Sequence, residues 1–142
     1  MPEDDDWRER RRDAAAEHER ALLRRRAEES AAAHALLVDF VAEARRRGLD
    51  PVPLRARSYD GRHRYRTTTT GWYLRRNESV AVGTDGSFYV LGVPASLRSM
   101  LAGVTLAPSD PPLVLGKGGR DGESIDLPDA LALVLERAGT DD

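Results

Sequence analysis

A chain of 142 residues with 22 basic and 24 acidic side chains has the length for one hydrophobic core and an appendage, not for two full domains. It contains no cysteine, which excludes a disulfide framework, a thiolate metal site and a cysteine nucleophile. Met1 to Asp13 is almost all charge, and the apolar runs near Ala35–Val38 and Ala130–Leu135 fall far short of the roughly 20 residues a bilayer requires. A soluble, cytoplasmic protein without a membrane partner is expected.

Of the 22 basic residues only Lys117 is lysine, and glutamine is absent. This skew fits the codon bias of a GC-rich bacterial genome, so an arginine here is weak testimony to a need for its bidentate fork. Charge is also uneven along the chain. Residues 49–107 hold 8 arginines against 4 acids, whereas residues 108–142 hold 3 basic groups against 8 acids. A basic middle is followed by an acidic end.

From Trp7 to Arg47 neither glycine nor proline interrupts a run of Ala, Arg, Glu and Leu, which predicts a long helix. Gly48 supplies its stop signal, with Arg45, Arg46 and Arg47 at the negative end. Ala33, Leu36, Leu37, Phe40, Val41 and Ala44 form one stripe at helical spacing, a core face. The first half is different, for only Leu22 and Leu23 break its charge, with weak support from pairs such as Arg24/Glu28 and Arg25/Glu29. Such a helix spans on the order of 60 Å at about 1.5 Å per residue, so its N-terminal half protrudes, frays or meets a partner. A seam through Ala16, Leu23, Ser30, Leu37 and Ala44, with Glu19, Arg26, Ala33, Phe40 and Arg47, is too polar to define a coiled coil. Residues 1–29 are therefore read as a charged helical or frayed arm, 30–138 as an α+β core, and 139–142 as an acidic tail.

Beyond Val52 the period changes to two. Val52–Ala56, Arg62–Thr70, Gly71–Arg76, Ser79–Val82 and Ser87–Leu91 read as strands of an antiparallel meander. A three-residue loop Thr84-Asp85-Gly86 pairs Val82 with Phe88 and Val80 with Val90, all four facing the core. An odd-numbered loop at Asn77-Glu78 adds Trp72 and Leu74 to that face, whereas a two-residue loop would add Tyr73 and Arg75. The first is favoured, because glutamate tolerates positive φ poorly. Pro94–Ala102 reads as a short helix ended by Gly103. Val104–Ala107 and Leu113–Leu115 read as short strands around a proline-rich turn. A last helix, Leu127–Ala138, has Pro128 in its first turn, Asp126 as a candidate cap, and Leu131, Val134 and Leu135 facing inward. The class is α+β, with the helices on one sheet face.

The densest chemistry lies in the basic, aromatic middle. Arg55, Arg57, Arg62, Arg64, Arg66, Arg75 and Arg76 stand among Tyr59, Tyr65, Trp72 and Tyr73. With Trp72 and Leu74 inside, the opposite face carries Tyr73, Arg75, Ala81, Tyr89 and Leu91, a surface on which bases would stack and phosphates be held. Gly86-Ser87-Phe88-Tyr89-Val90 does not match the signature of the RNA recognition motif. A lesser candidate is the loop Gly116-Lys117-Gly118-Gly119-Arg120, whose glycines would open backbone N–H groups to a phosphate. It fits neither a Walker A loop nor a dinucleotide fingerprint. His18 and His34 are too far apart to share a metal, and His63 stands between arginines that repel a cation. Asp60 with His63, or Asp121 with Glu123, could be written as acid/base pairs, but any loop supplies such pairs. No catalytic residue, metal or cofactor is assigned. The leading expectation is a non-catalytic binding or adaptor module engaging a protein partner, or another copy of itself through the N-terminal helix. The alternative is a binder of nucleic acid or a phosphate ligand on the Arg55–Arg76 surface.

Overall fold

A 45-residue helix, α1 (Pro2–Arg46), opens the chain; the computed structural model describes residues 2–116 and 123–140. Its end follows the sequence signal. Gly48 takes φ 75°, its N–H reaches the Arg45 carbonyl at 3.0 Å, and the Leu49 N–H reaches that of Ala44 at 2.8 Å. These are the two bonds of a Schellman motif. Of the expected stripe, Ala33, Leu37, Phe40, Val41 and Ala44 are buried and Leu36 packs against them.

Five strands form the main sheet in the order β4-β3-β2-β1-β5: β1 (Val52–Ser58), β2 (Arg64–Tyr73), β3 (Val80–Gly83), β4 (Phe88–Val90) and β5 (Gly92–Val93). β2 is one unbroken strand where two were expected. Trp72 lies opposite Val82, Val82 opposite Phe88 and Val80 opposite Val90, as the hairpin reading requires. The first turn nonetheless departs from the expectation that glutamate avoids positive φ. Glu78 does take positive φ, at 56°, and its carboxylate is held by Arg64 at 2.9 Å.

The sheet is mixed rather than a pure meander, because β5 runs parallel to β1. β4 and β5 stand at opposite ends of the strand order, yet only Leu91 separates them in sequence. The Leu91 N–H donates to Ser79, and its carbonyl accepts from the Arg57 N–H at 2.8 Å. The sheet therefore curls back upon itself. Leu54 of β1, Ala81 of β3, Tyr89 of β4 and Leu91 meet in a second buried cluster on the inner side, with Tyr73 and Leu106 against it.

The outer side takes the helices. Trp72, Leu74, Val82 and Phe88 are buried with α1 and with Leu127, Ala130 and Leu131 of α3 (Leu127–Thr140). Phe40 meets Trp72 edge-on, and the Trp72 Nε1–H donates to the Leu49 carbonyl at 3.2 Å. α1 and α3 thus share one face as expected, with Val134 and Leu135 partly buried. The short helix Leu97–Ala102, expected on the same face, buries none of its residues. Val90 is a correction. At 51% exposed it is outside the core, because β4 ends there and the chain turns toward β1.

The remaining elements are short. α2 (Leu97–Ala102) is capped by the Ser96 hydroxyl and ended by Gly103. β6 (Val114–Leu115) pairs with β7 (Ile125–Asp126), so the partner of Leu113–Leu115 is not Val104–Ala107. Val104 instead bridges Thr67, and Ser109 bridges Phe88. Asp126, read as a cap, lies in β7. α3 continues through Gly139 and Thr140, which shortens the expected acidic tail; Asp141 and Asp142 lie outside the described residues.

Candidate functional site

The β1–β2 ladder sets Arg55 opposite Arg66 and Arg57 opposite Arg64. Directly opposed residues share a face, so four arginines form a block on the face of this ladder opposite the buried Leu54, Ala56 and Tyr65. Like charges so placed repel; backbone carbonyls hold two of them and a carboxylate a third. Arg57 Nη1 donates to the Asn77 carbonyl, Arg64 pairs with Glu78, and Arg66 Nη2 reaches the Leu101 carbonyl at 3.4 Å. Among the described residues the Arg55 guanidinium makes no hydrogen bond or ion pair, while its backbone N–H donates to Tyr73 Oη at 3.0 Å. The Arg57 Nε is buried without a hydrogen-bond partner, beside a cavity of about 580 Å³ lined by Ser58, Asp60, Asn77 and Glu78.

The other expected site residues are scattered. Arg62 is exposed at the β1–β2 turn, where its backbone N–H donates to Asp60 Oδ1 at 2.9 Å. The Ser58 hydroxyl donates to the same carboxylate, and these two bonds hold Asp60 below the usual carboxylate range. Asp60 is therefore a turn staple rather than a base for His63. Arg75 Nη2 donates to the Glu123 carbonyl at 3.0 Å. Arg75, Arg76 and Arg137 line a cavity of about 430 Å³ with Leu74, Ile125 and Leu133. Gly116 takes φ 80°, a conformation that strains any side chain, and a Cβ there would push Arg75 Nη1 aside from 2.6 Å. Lys117, Gly118, Gly119, Arg120 and Asp121 lie outside the described residues.

The expected stacking face does not exist. Tyr89 is 8% exposed and Tyr73 only half-exposed, both in the inner cluster with Leu54 and Leu91. The curl of the sheet, closed by Leu91, turned that face inward. The buried Tyr89 ring offers a base no open face.

Two exposed surfaces replace it. In α1 every residue from Glu3 to Glu29 is exposed except Ala16 and Ala21, which are half-buried. Trp7 and Leu23 are more than half exposed, and Leu22 is 37% exposed. Local contacts support this stretch: Glu17 pairs with Arg20 at 2.9 Å and Arg24 at 3.5 Å, and Arg11 lies over the Trp7 ring at 4.5 Å. These differ from the expected Arg24/Glu28 and Arg25/Glu29 pairs. The second surface is α2, which buries none of its residues and exposes Leu97, Met100 and Leu101. Sequence reasoning missed it, because spacing of i, i+3, i+4 reads as a core face whichever way the helix is turned.

Among the described residues no three His, Asp or Glu side chains converge as metal ligands, and no helix is long and apolar enough to cross a membrane. No family model, curated protein or solved structure matches the chain.

Proposed function

We propose that this chain is a cytoplasmic, non-catalytic binding module that engages a protein partner through the N-terminal part of α1. The observation that carries the reading is the helix itself. Twenty-odd residues continue an α-helix beyond any core contact with Trp7, Leu22 and Leu23 uncovered. Propensity and exposed ion pairs give such a stretch little stability alone, and burial of its apolar groups against a partner would add the missing part. The arginine block, by contrast, is mostly tied to its own backbone and to Glu78.

The test uses the full chain in its native extract, chemically cross-linked and recovered by a tag. Trp7→Ser/Leu22→Ser/Leu23→Ser should abolish a cross-linked polypeptide that Arg55→Ala/Arg66→Ala retains. The opposite pattern overturns the reading.

A second reading rests on the cavity among Arg75, Arg76 and Arg137, which offers positive charge beside an apolar wall to a phosphate-bearing ligand. A single-stranded oligonucleotide neutralising about four phosphates would show a log–log salt slope near −3, at about −0.7 per contact. Arg75→Ala/Arg76→Ala would flatten it. No affinity at about 50 mM salt ends the oligonucleotide form of this reading.

A further inference from the structure

We propose that the partner of the arm is a second copy of this chain, paired antiparallel about a two-fold axis between Ala14 and Ala15. The proposal rests on the reading of the arm as the docking element and names its occupant. At helical spacing Asp4, Trp7, Arg11, Ala14, His18, Leu22 and Arg25 fall on one face of α1. A two-fold interface is isologous: residue i meets residue j, and j meets i. With the axis between Ala14 and Ala15, Asp4 meets Arg25, Trp7 meets Leu22, and Ala14 meets Ala15, each contact occurring twice.

The edges of the face agree. Along one edge Glu3 meets Arg24 and Arg10 meets Glu17; along the other Asp5 meets Arg26 and Arg12 meets Glu19. Every one of these pairs is of opposite sign, the kind of edge pairing that sets orientation between helices. Arg11 with His18 is the one layer without complementarity. Glu17 and Arg24 of the same chain already lie 3.5 Å apart, so the edge charges of two copies would join in one network.

Other registers lose this match. Moving the axis by half a residue one way brings Arg8 level with Arg20 and Glu9 level with Glu19. The other way it brings Arg10 level with Arg20 and Asp13 level with Glu17. Parallel pairing in register sets every charge against itself. At the crossing, Ala14, Ala15 and Ala16 let the two axes approach to the short end of the usual range for packed helices. The length fits as well. Glu3 of one copy reaches the level of Arg26 in the other, just short of Glu29, where the core first holds the helix through the Leu113 N–H. The two cores then sit at opposite ends of the helix pair, clear of each other.

The test exploits a chain without native cysteine. Under mild oxidation, full-length Ala14→Cys should form a disulfide-linked dimer, because position 14 lies beside the axis. Leu22→Cys should not, since the two copies of that residue are roughly 22 Å apart at about 1.5 Å per residue. Linkage at Leu22→Cys overturns the antiparallel arrangement. Sedimentation supplies the second arm of the test. The wild-type chain should be dimeric, and Glu3→Arg/Asp4→Arg/Asp5→Arg and Arg24→Glu/Arg25→Glu/Arg26→Glu should each be monomeric. An equimolar mixture of the two variants should restore the dimer, because each then presents the sign the other lacks. Failure of the mixture to associate overturns the register. A wild-type chain monomeric over a roughly hundredfold range of concentration overturns self-pairing altogether. If the Trp7→Ser/Leu22→Ser/Leu23→Ser chain nonetheless loses a polypeptide that wild type holds in native extract, docking by the arm stands and only its occupant was wrong.

Discussion

The Glu29 carboxylate accepts the Leu113 backbone N–H at 3.2 Å, and this bond marks where the core takes hold of α1. N-terminal to it Trp7, Leu22 and Leu23 are exposed; C-terminal to it Ala33, Leu37 and Phe40 are buried. One continuous helix thus joins a packed segment to an unpacked one, with no break in backbone geometry between them.

Removal of residues 1–27 should leave the core folded. Trp7, Leu22 and Leu23 contribute nothing to either buried cluster. Thermal unfolding of the truncated chain, followed at low concentration, should lie within a few degrees of full length, the shift expected for about 1 kcal/mol. A steep fall would mean that the arm belongs to the fold.

The curl of the sheet makes a prediction about three consecutive residues. Phe88 and Tyr89 are buried on opposite sides of β4, whereas Val90 is exposed. Phe88→Ala and Tyr89→Ala should each cost about 3–5 kcal/mol, and Val90→Ala less than about 1, in denaturant unfolding. A cheap Tyr89→Ala would contradict the inner cluster.

Gly71 stands opposite Gly83 where β2 meets β3. A Cβ there would lie 2.0 Å from the Val82 carbonyl oxygen, a contact that only backbone movement can relieve. Gly71→Ala should therefore cost about 1–3 kcal/mol, as forced overpacking does, although φ at this position needs no glycine. A neutral Gly71→Ala would show that the two strands part easily.

Acid should weaken the protein partly through Glu43. Hydrogen bonds from Arg46 and Arg47 hold its carboxyl at about 2 against an ordinary value of 4.5. A lowered value in the folded state stabilises it above the ordinary value, and that contribution disappears as pH falls toward the lowered one. Asp60 and Asp85 act in the same direction, through the Ser58 hydroxyl and the Ser87 N–H respectively. Between about pH 5 and pH 2 the thermal midpoint should fall, and less steeply in Glu43→Gln. The difference should be small, since exposed ion pairs are weak. An identical pH profile in the variant would remove Glu43 from the account.

Much of this architecture was legible in the sequence, for local reasons. Gly48 and the arginines before it fix the end of α1, and Gly86 fixes the β3–β4 turn and therefore the Val82–Phe88 pairing. What was not legible is long-range. Period-two alternation places Tyr73 and Tyr89 opposite Trp72 but cannot say that this second face is also covered. That follows from Leu91 linking the two edges of the sheet, and from Leu106 closing over the inner side. The arginine cluster was visible as composition; its cross-strand opposition at Arg55–Arg66 needed the register.

Hydrogen exchange along α1 of the full-length chain tests the central claim most directly, because it compares the two segments within one helix. Amides from Ala33 to Arg46 should be protected at the level of the core at every concentration. Those between Trp7 and Arg26 should exchange fast in dilute solution and become protected as chain concentration rises. Protection of the arm equal to the core, and indifferent to concentration, would make it part of the fold. Fast exchange at every concentration would contradict self-pairing and leave the helix as a solvated spur.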